Sequence, residues 1–312
     1  MFLWLALRSV DTAAMADALR DLRLEYVLLS CALYWLGLAL RVGRWHALLT
    51  QLAPVTPRAV GETLLVGYAV NNVLPARLGE LFRADYAKRR FGLSRAAVLG
   101  SIVIERAADL AAILCCLALG LGVSDLTGGA GQIDFARLLQ VSCVVIALLI
   151  GVLLGLRASG HLRVGLPPVA HRLLCDLGSG LRSLNRGTLQ HTALLTAAVW
   201  LAEVAALWAM LAALGLSLST AEAMLVLSAA SLSTLIPTAP GYLGTYQLVF
   251  SAALPALGLS ATLGVLGSAL IQVFLFGSVT LAGLVLYLAR SMHNAHLTRN
   301  EALPSGTEYR PR

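Results

Sequence analysis

Asn71-Asn72-Val73-Leu74-Pro75-Ala76-Arg77-Leu78-Gly79-Glu80 interrupts the apolar stretch 59–82, and Ser233-Thr234-Leu235-Ile236-Pro237-Thr238-Ala239-Pro240-Gly241 interrupts the apolar stretch 221–257. Proline removes a backbone donor and clashes with the preceding turn, while glycine frees the chain to reverse. Each stretch therefore reads as a helix that stops part-way and returns. Aligned on the breaks, Asn71-Asn72-x-x-Pro75-x-x-x-Gly79 matches Ser233-Thr234-x-x-Pro237-x-x-x-Gly241. A small polar pair, an aliphatic pair, a proline and a glycine recur at one spacing, as an internal repeat requires. Paired Gly/Pro-interrupted segments point to the binding site of a membrane transporter.

Outward from the breaks the chain is apolar. Residues 24–40, 96–123, 138–156, 192–214 and 262–288 each approach or exceed the roughly 20 apolar residues that a helix needs to cross a bilayer. None shows the polar periodicity of a surface helix. Only 12% of the 312 residues are charged and 58% are hydrophobic, with a mean hydropathy of +0.80. A soluble domain covers its surface with about 25% charged residues, so the fold class is all-α integral membrane, a polytopic helical bundle. The net charge of +7 comes without a basic stripe, finger spacing or RNA-binding signature, which argues against nucleic acid. Cys31, Cys115, Cys116 and Cys143 lie in apolar runs and Cys175 in a basic amphipathic stretch. With no CxxC pair they read as buried, inert thiols. Met1 to Leu7 are too short for a leader or a span and read as the end of a membrane helix that begins earlier.

Lys and Arg placement sets the orientation, because cytoplasmic loops carry their excess. Arg41, Arg44 and Arg58 precede the first break, and Arg83, Lys88, Arg89, Arg90 and Arg95 follow it. That segment therefore reads as entering from the cytoplasm and returning there. Residues 96–123 cross outward, 138–156 return to a region with Arg163, Arg172, Arg182 and Arg186, and 192–214 cross outward again. The flanks of the second break, 215–220 and 258–261, hold neither Lys nor Arg, so it dips in from outside. The last span delivers Arg290 to the cytoplasm. Residues 59–73 make about 22 Å of helix at 1.5 Å per residue, past the midplane but short of crossing. The expectation is one transmembrane domain, 1–290, built from inverted repeats at about 24–157 and 191–289. Each repeat contains a re-entrant broken-helix hairpin. A cytoplasmic amphipathic segment, 158–190, joins them, with 171–186 on the membrane surface, and a cytoplasmic polar tail, 291–312, follows.

Backbone groups freed beside Pro75, Pro237 and Pro240 cannot face lipid tails, so they face protein, water or a ligand. Returning half-helices starting near Gly79 and, beyond Gly241, near Gly244 would aim positive N-terminal ends into the membrane, where a lipid phosphate is favoured. Arg77 adds a full positive charge, and Asn71, Asn72, Ser233 and Thr234 offer neutral hydrogen bonds. The competing reading is a pair of breaks that only let helices pack around small residues. Glu105, Arg106 and Asp109 lie inside an apolar span, with Glu105 and Asp109 on one helix face. Charge in hydrocarbon is costly, so these groups face inward and pair. They either couple ions or contact a charged head-group, or form a packing cluster with Arg106 or Arg77. Glu203 is alone within 192–214 and is either protonated or paired with an arginine of the centre. Glu62 and Glu222 read as interfacial. Tyr68, Tyr242 and Tyr246 line the site or join the interfacial belt, and Trp4, Trp35, Trp45, Trp200 and Trp208 read as belt residues.

Four sets of residues carry a resemblance. They are Arg44-Trp45; Gly67-Tyr68-Ala69-Val70-Asn71-Asn72-Val73-Leu74-Pro75-Ala76-Arg77-Leu78-Gly79-Glu80-Leu81-Phe82-Arg83; Glu105-Arg106-x-x-Asp109; and Pro237-Thr238-Ala239-Pro240-Gly241-Tyr242-Leu243-Gly244-Thr245. In this order they resemble the flippase-like transmembrane family named for the membrane region of lysylphosphatidylglycerol synthases. The resemblance implies inverted repeats that move lipids between leaflets, as in export of aminoacylated phosphatidylglycerol. It also implies a lipid cavity at the two breaks and the buried charges Asn72, Arg77, Glu80, Glu105, Arg106 and Asp109. Gln247 stands where the family often has an acid, which weakens a coupling role there. Tyr242 stands where a second glycine is common, which implies a tighter second loop. The 22 residues after Arg290 leave no room for an aminoacyl-transfer domain.

The leading reading is a lipid flippase or transporter for an anionic phospholipid, an aminoacyl-lipid or a polyisoprenoid-linked lipid, in a bacterial inner membrane with the C-terminus cytoplasmic. No cofactor is expected, and without a GxxxxGK[ST] loop energy comes from an ion gradient, a partner or the lipid's own gradient. A homo-oligomer stays open. The alternatives are an accessory subunit of a lipid-modifying or glycosyl-transfer enzyme, and a membrane-embedded head-group enzyme. The last is disfavoured by the lack of HExxH, GxSxG and DxD motifs and by histidines that lie outside the spans.

Overall fold

The computed structural model describes residues 2–7, 10–74, 78–123, 140–145, 147–148, 151–152, 155, 185–235 and 239–301, and among these the side chains of residue 2 and of 293–301 are left aside. The elements run α1 (Phe2–Leu7), α2 (Thr12–Arg20), α3 (Leu24–Leu49), α4 (Pro57–Val73), α5 (Gly79–Phe91), α6 (Arg95–Val123), α7 (Arg186–Ala213) and α8 (Thr220–Ser233). A 3₁₀ turn (Pro240–Tyr242), α9 (Thr245–Ala256), α10 (Ala261–Leu270), a π-helical segment (Ile271–Phe276) and α11 (Gly277–Glu301) complete the chain. No strand occurs among the described residues. Of the expected span 138–156, residues 138, 139, 146, 149, 150, 153, 154 and 156 lie outside them, and so do Cys175 and most of the surface stretch 171–186.

Local chemistry explains the boundaries. Thr56 caps α4, with Pro57 in its first turn, where the missing donor costs nothing. Ser219 and Glu222 close a capping box at the start of α8, so Glu222 has a local structural task. Gly92, at φ 68°, ends α5.

Among the described residues, three helices are long and apolar enough to cross a membrane: Leu24–Leu49, Arg186–Ala213 and Ala261–Met292. Leu28, Leu194, Leu201, Val273 and Leu281 stand exposed on them, the surface an apolar solvent would cover. Cys115 and Cys143 are exposed and Cys31 and Cys116 half-buried, which corrects the expectation of buried thiols: the apolar runs that hold them have outward faces too.

The first helix does not end at residue 40. It continues to Leu49 and carries Arg41, Arg44 and His46 inside it. Two of the three arginines counted on the near flank of the first break are therefore interior charges, not loop charges. Helices α4 and α5 fold back against each other. Gly67 faces Arg83 and Asn71 faces Gly79, so the arms run antiparallel, and Glu62 near the base of one arm meets Arg90 near the base of the other.

Helices α3 and α7 also run antiparallel along their lengths. Ser30 donates to the Ala206 carbonyl, Gly37 lies against Ala202, and Arg44 reaches Thr196. Helix α11 descends along α4, with Gly283 against the Leu65 carbonyl and Ala69. Helix α8 lies antiparallel to α6, with Ser228 on the Ile113 carbonyl and Gly120 against Ala221 and Leu225. Two apolar clusters result, one around Trp45, Leu48 and Leu64, the other around Met210, Phe250 and Leu254.

Glu62 fastens one end of this assembly. It accepts from Arg58 (3.3 Å), Arg90 (2.5 Å) and Arg290 (2.8 and 3.0 Å), tying α4, α5 and α11 together. It is thus a buried hub. Glu62→Gln leaves the three guanidiniums mutually repelling. The expected loss is about 1–2 kcal/mol, discounted because two of the arginines are well exposed. A lower melting temperature in detergent, restored by Glu62→Asp at least in part, checks it.

Candidate functional site

The two breaks meet. The backbone of Gly241 approaches the Asn72 carbonyl, and the π-helical segment ties both. Its Gln272 side chain donates to the Gly241 carbonyl (2.9 Å), and its Phe276 carbonyl accepts from Asn72 Nδ2 (3.4 Å) and Thr280 Oγ1 (2.7 Å). A π turn loosens the helical ladder, and here Asn72 of the first break reaches one of its carbonyls.

Beside this junction lies a cavity of about 460 Å³. Its polar wall comes from Arg41, Asn71, Asn72, Glu80, Arg106, Asp109, Glu203, Ser231 and Thr234. Its apolar wall includes Leu110, Ile113, Leu207, Leu227, Ile271 and Leu275, and six aromatic residues complete it: Tyr34, Tyr68, Trp200, Tyr242, Tyr246 and Phe276.

Behind the polar wall the charges pair. Arg44 Nη1 donates to Asp109 Oδ1 (2.7 Å) and Thr196 (2.9 Å), and Nη2 to Asp109 Oδ2 (3.2 Å) and Glu105 (3.4 Å). Arg83 takes the other Glu105 oxygen and stacks over Trp45 at 3.8 Å. Trp200 Nε1 donates to Asp109 (3.2 Å), and Trp45 Nε1 to Ser101 (3.0 Å). Arg41 meets Glu203 at 2.6 Å. Arg106 reaches Glu80 at 3.5 Å and Asp109 at 3.6 Å, the loosest contacts of the set. Among the described residues of this centre, four guanidiniums thus face four carboxylates: Arg41, Arg44, Arg83 and Arg106 against Glu80, Glu105, Asp109 and Glu203. A charge buried without such partners is strongly disfavoured.

Of the residues singled out from the sequence, Asn71, Asn72, Glu80, Arg106, Asp109, Glu203 and Thr234 line the cavity. Glu105 is fully buried behind it. Gly79, Ser233, Pro240, Gly241, Gly244 and Gln247 shape the breaks without lining the space. Pro75, Arg77 and Pro237 lie outside the described residues.

The helix starts at the breaks differ from expectation. The Gly79 amide donates to Asn71 Oδ1 (2.8 Å) and the Gly244 amide to Gln247 Oε1 (2.7 Å). These two donors are not open to an anion, because a side-chain oxygen eight or three residues away already sits there. Gln247, bonded also to Gln272, is a scaffold residue. The second loop is not tighter either. Gly79 itself begins α5, whereas α9 begins four residues after Gly241, and Tyr242 adopts φ 60°. That conformation strains any residue but glycine.

Arg41, Arg44, Arg83, Tyr34 and Gln272 were missed as site residues, the arginines because they flank apolar runs and looked like loop charges. The spacing of Arg41, Arg44 and Trp45 on a continuing helix was the available signal. Trp45 is fully buried and Trp200 nearly so, not belt residues, whereas Trp4, Trp35 and Trp208 are exposed.

An all-helical integral membrane protein with an amphipathic internal cavity is the class these features define. The chain belongs to the family described as the lysylphosphatidylglycerol synthase TM region, which it matches over residues 1–283. It is 23% identical to the glycosyltransferase AglD of Haloferax volcanii, over 97% of this chain but 54% of that protein, so it spans about half of that relative's length. It is also 24% identical to the UPF0104 membrane protein MJ1078 of Methanocaldococcus jannaschii, over 70% of this chain and 92% of that protein.

Proposed function

We propose that this chain moves a lipid between the leaflets of a cytoplasmic membrane, with its C-terminus in the cytoplasm. The observation that carries the reading is the cavity at the meeting point of the two broken helices, lined by both polar and apolar side chains. A head-group seats against Asn71, Asn72, Arg106 and Glu80 while the acyl or polyprenyl chain follows the apolar wall. The α4–α5 and α8–α9 segments act as oppositely oriented re-entrant hairpins of two inverted repeats, and rocking of one against the other exposes the cavity to each leaflet in turn. The chain itself makes and breaks no covalent bond in this reading.

The match to part of a glycosyltransferase favours one second reading, a membrane subunit that presents lipid to a glycosyl-transfer partner. A leaflet-resolved assay of labelled lipids with pure protein in vesicles separates the two. The wild type moves lipid unaided under the first reading, and Arg106→Gln slows it about tenfold, the loss of a charge-assisted contact. Movement that requires a co-purifying enzyme supports the second. Arg106 serves as the test because its loose pairing makes its loss tolerable to the fold.

A further inference from the structure

Four tyrosine hydroxyls and one amide nitrogen in the cavity lack a hydrogen-bond partner among the described residues. The hydroxyls of Tyr34, Tyr68, Tyr242 and Tyr246 and the Asn71 Nδ2 make no hydrogen bond among the described residues, although all five residues line the space. Lone polar groups facing a cavity await a ligand or water, since an unmet donor in a dry interior is costly. The charges nearby are differently placed: each carboxylate and guanidinium named above has a counter-charge among the described residues, with only the Nε of Arg41 and of Arg106 left without a hydrogen bond at the cavity.

We infer that the part of the head-group seated between the breaks is an uncharged, hydroxyl-rich ring, so that the substrate class is a glycosylated lipid. A sugar hydroxyl both donates and accepts, which suits tyrosine hydroxyls, an amide and the free lone pairs of ion-paired carboxylates. The apolar C–H faces of a sugar ring pack on aromatic side chains, and six aromatic residues surround this space. An ammonium would use the aromatic rings, but would leave the hydroxyls idle. The volume of about 460 Å³ falls within the range of small-ligand sites.

The inference rests on the cavity being the lipid site, as in the reading above, and its test separates binding from movement. Native mass spectrometry of the full chain in detergent is run with monoglucosyl diacylglycerol, phosphatidylglycerol and lysyl-phosphatidylglycerol of identical acyl chains. The glucosyl lipid is expected to be retained best. Tyr68→Phe and Tyr246→Phe, which remove one hydroxyl and keep the ring, are each expected to weaken its retention about 2–10-fold, the worth of one hydrogen bond. Preferential retention of either phospholipid, or full retention of the glucosyl lipid by both Phe variants, overturns the inference. The leaflet assay with the same lipids completes the separation. Glucosyl lipid that binds but does not move leaves the inference standing and removes transport, whereas movement of phosphatidylglycerol alone does the reverse.

Discussion

Arg44→Gln is expected to lose most of the folded protein from the membrane fraction, the largest effect of any single charge change in this chain. Arg44 is completely buried and bonds Asp109 through both carboxylate oxygens, with Glu105 and Thr196 as further partners. It joins α3 to α6 and α7 at one point. Removing one partner of a buried ion network leaves an uncompensated charge, at about 3–5 kcal/mol, a large part of a domain's total stability. Arg44→Lys should fare little better, because an ammonium is a point charge and cannot grip two acids in the fork geometry. Pairing Arg44→Gln with Asp109→Asn restores the charge balance and should recover part of the loss. Monodispersity and melting temperature in detergent measure all three, and an Arg44→Gln protein as stable as wild type would show that the network holds nothing together.

Gly79→Ala comes second. A Cβ at this position would collide with the Gly67 carbonyl and lie 2.5 Å from Asn71 Oδ1. The first of these is backbone in the facing arm and cannot swing away. The second is the cap of the returning helix, so the clash also displaces the hydrogen bond that starts α5. Overpacking of this kind costs about 1–3 kcal/mol, and here it parts the arms near the tip, where Asn71 and Asn72 line the cavity. Lipid movement should fall to background while the protein still purifies, because the damage is local. Gly92→Ala is the control: a Cβ there meets nothing, and only its positive φ opposes the change. Transport by Gly79→Ala at the wild-type rate would mean that hairpin closure is irrelevant to activity.

The two breaks and the interior placement of Glu105 and Asp109 were legible because each follows from a local rule. Proline cannot continue a helix, and a carboxylate cannot stand in hydrocarbon. Gly79 was likewise legible as a helix start. The caps at Gly79 and Gly244 were not, since Asn71 and Gln247 look equally suited to holding a ligand. Tyr68, Tyr242 and Tyr246 were recognised as candidates for the site, and the structure puts them in the cavity wall, together with Tyr34.

By itself the chain determined that it is helical, that it belongs in a membrane, where its helices break and which charges must be hidden. These follow from composition, from backbone chemistry and from the cost of dehydrating a charge, all readable along one dimension. Only the tertiary structure decided how those charges are neutralised. Arg41 and Glu203 are 162 residues apart and Arg44 and Asp109 are 65 apart, and no periodicity in an apolar helix says which neighbour it will meet. The same packing turned arginines that looked like loop charges into the centre of the molecule. It left the tyrosine hydroxyls around the cavity without a hydrogen bond among the described residues.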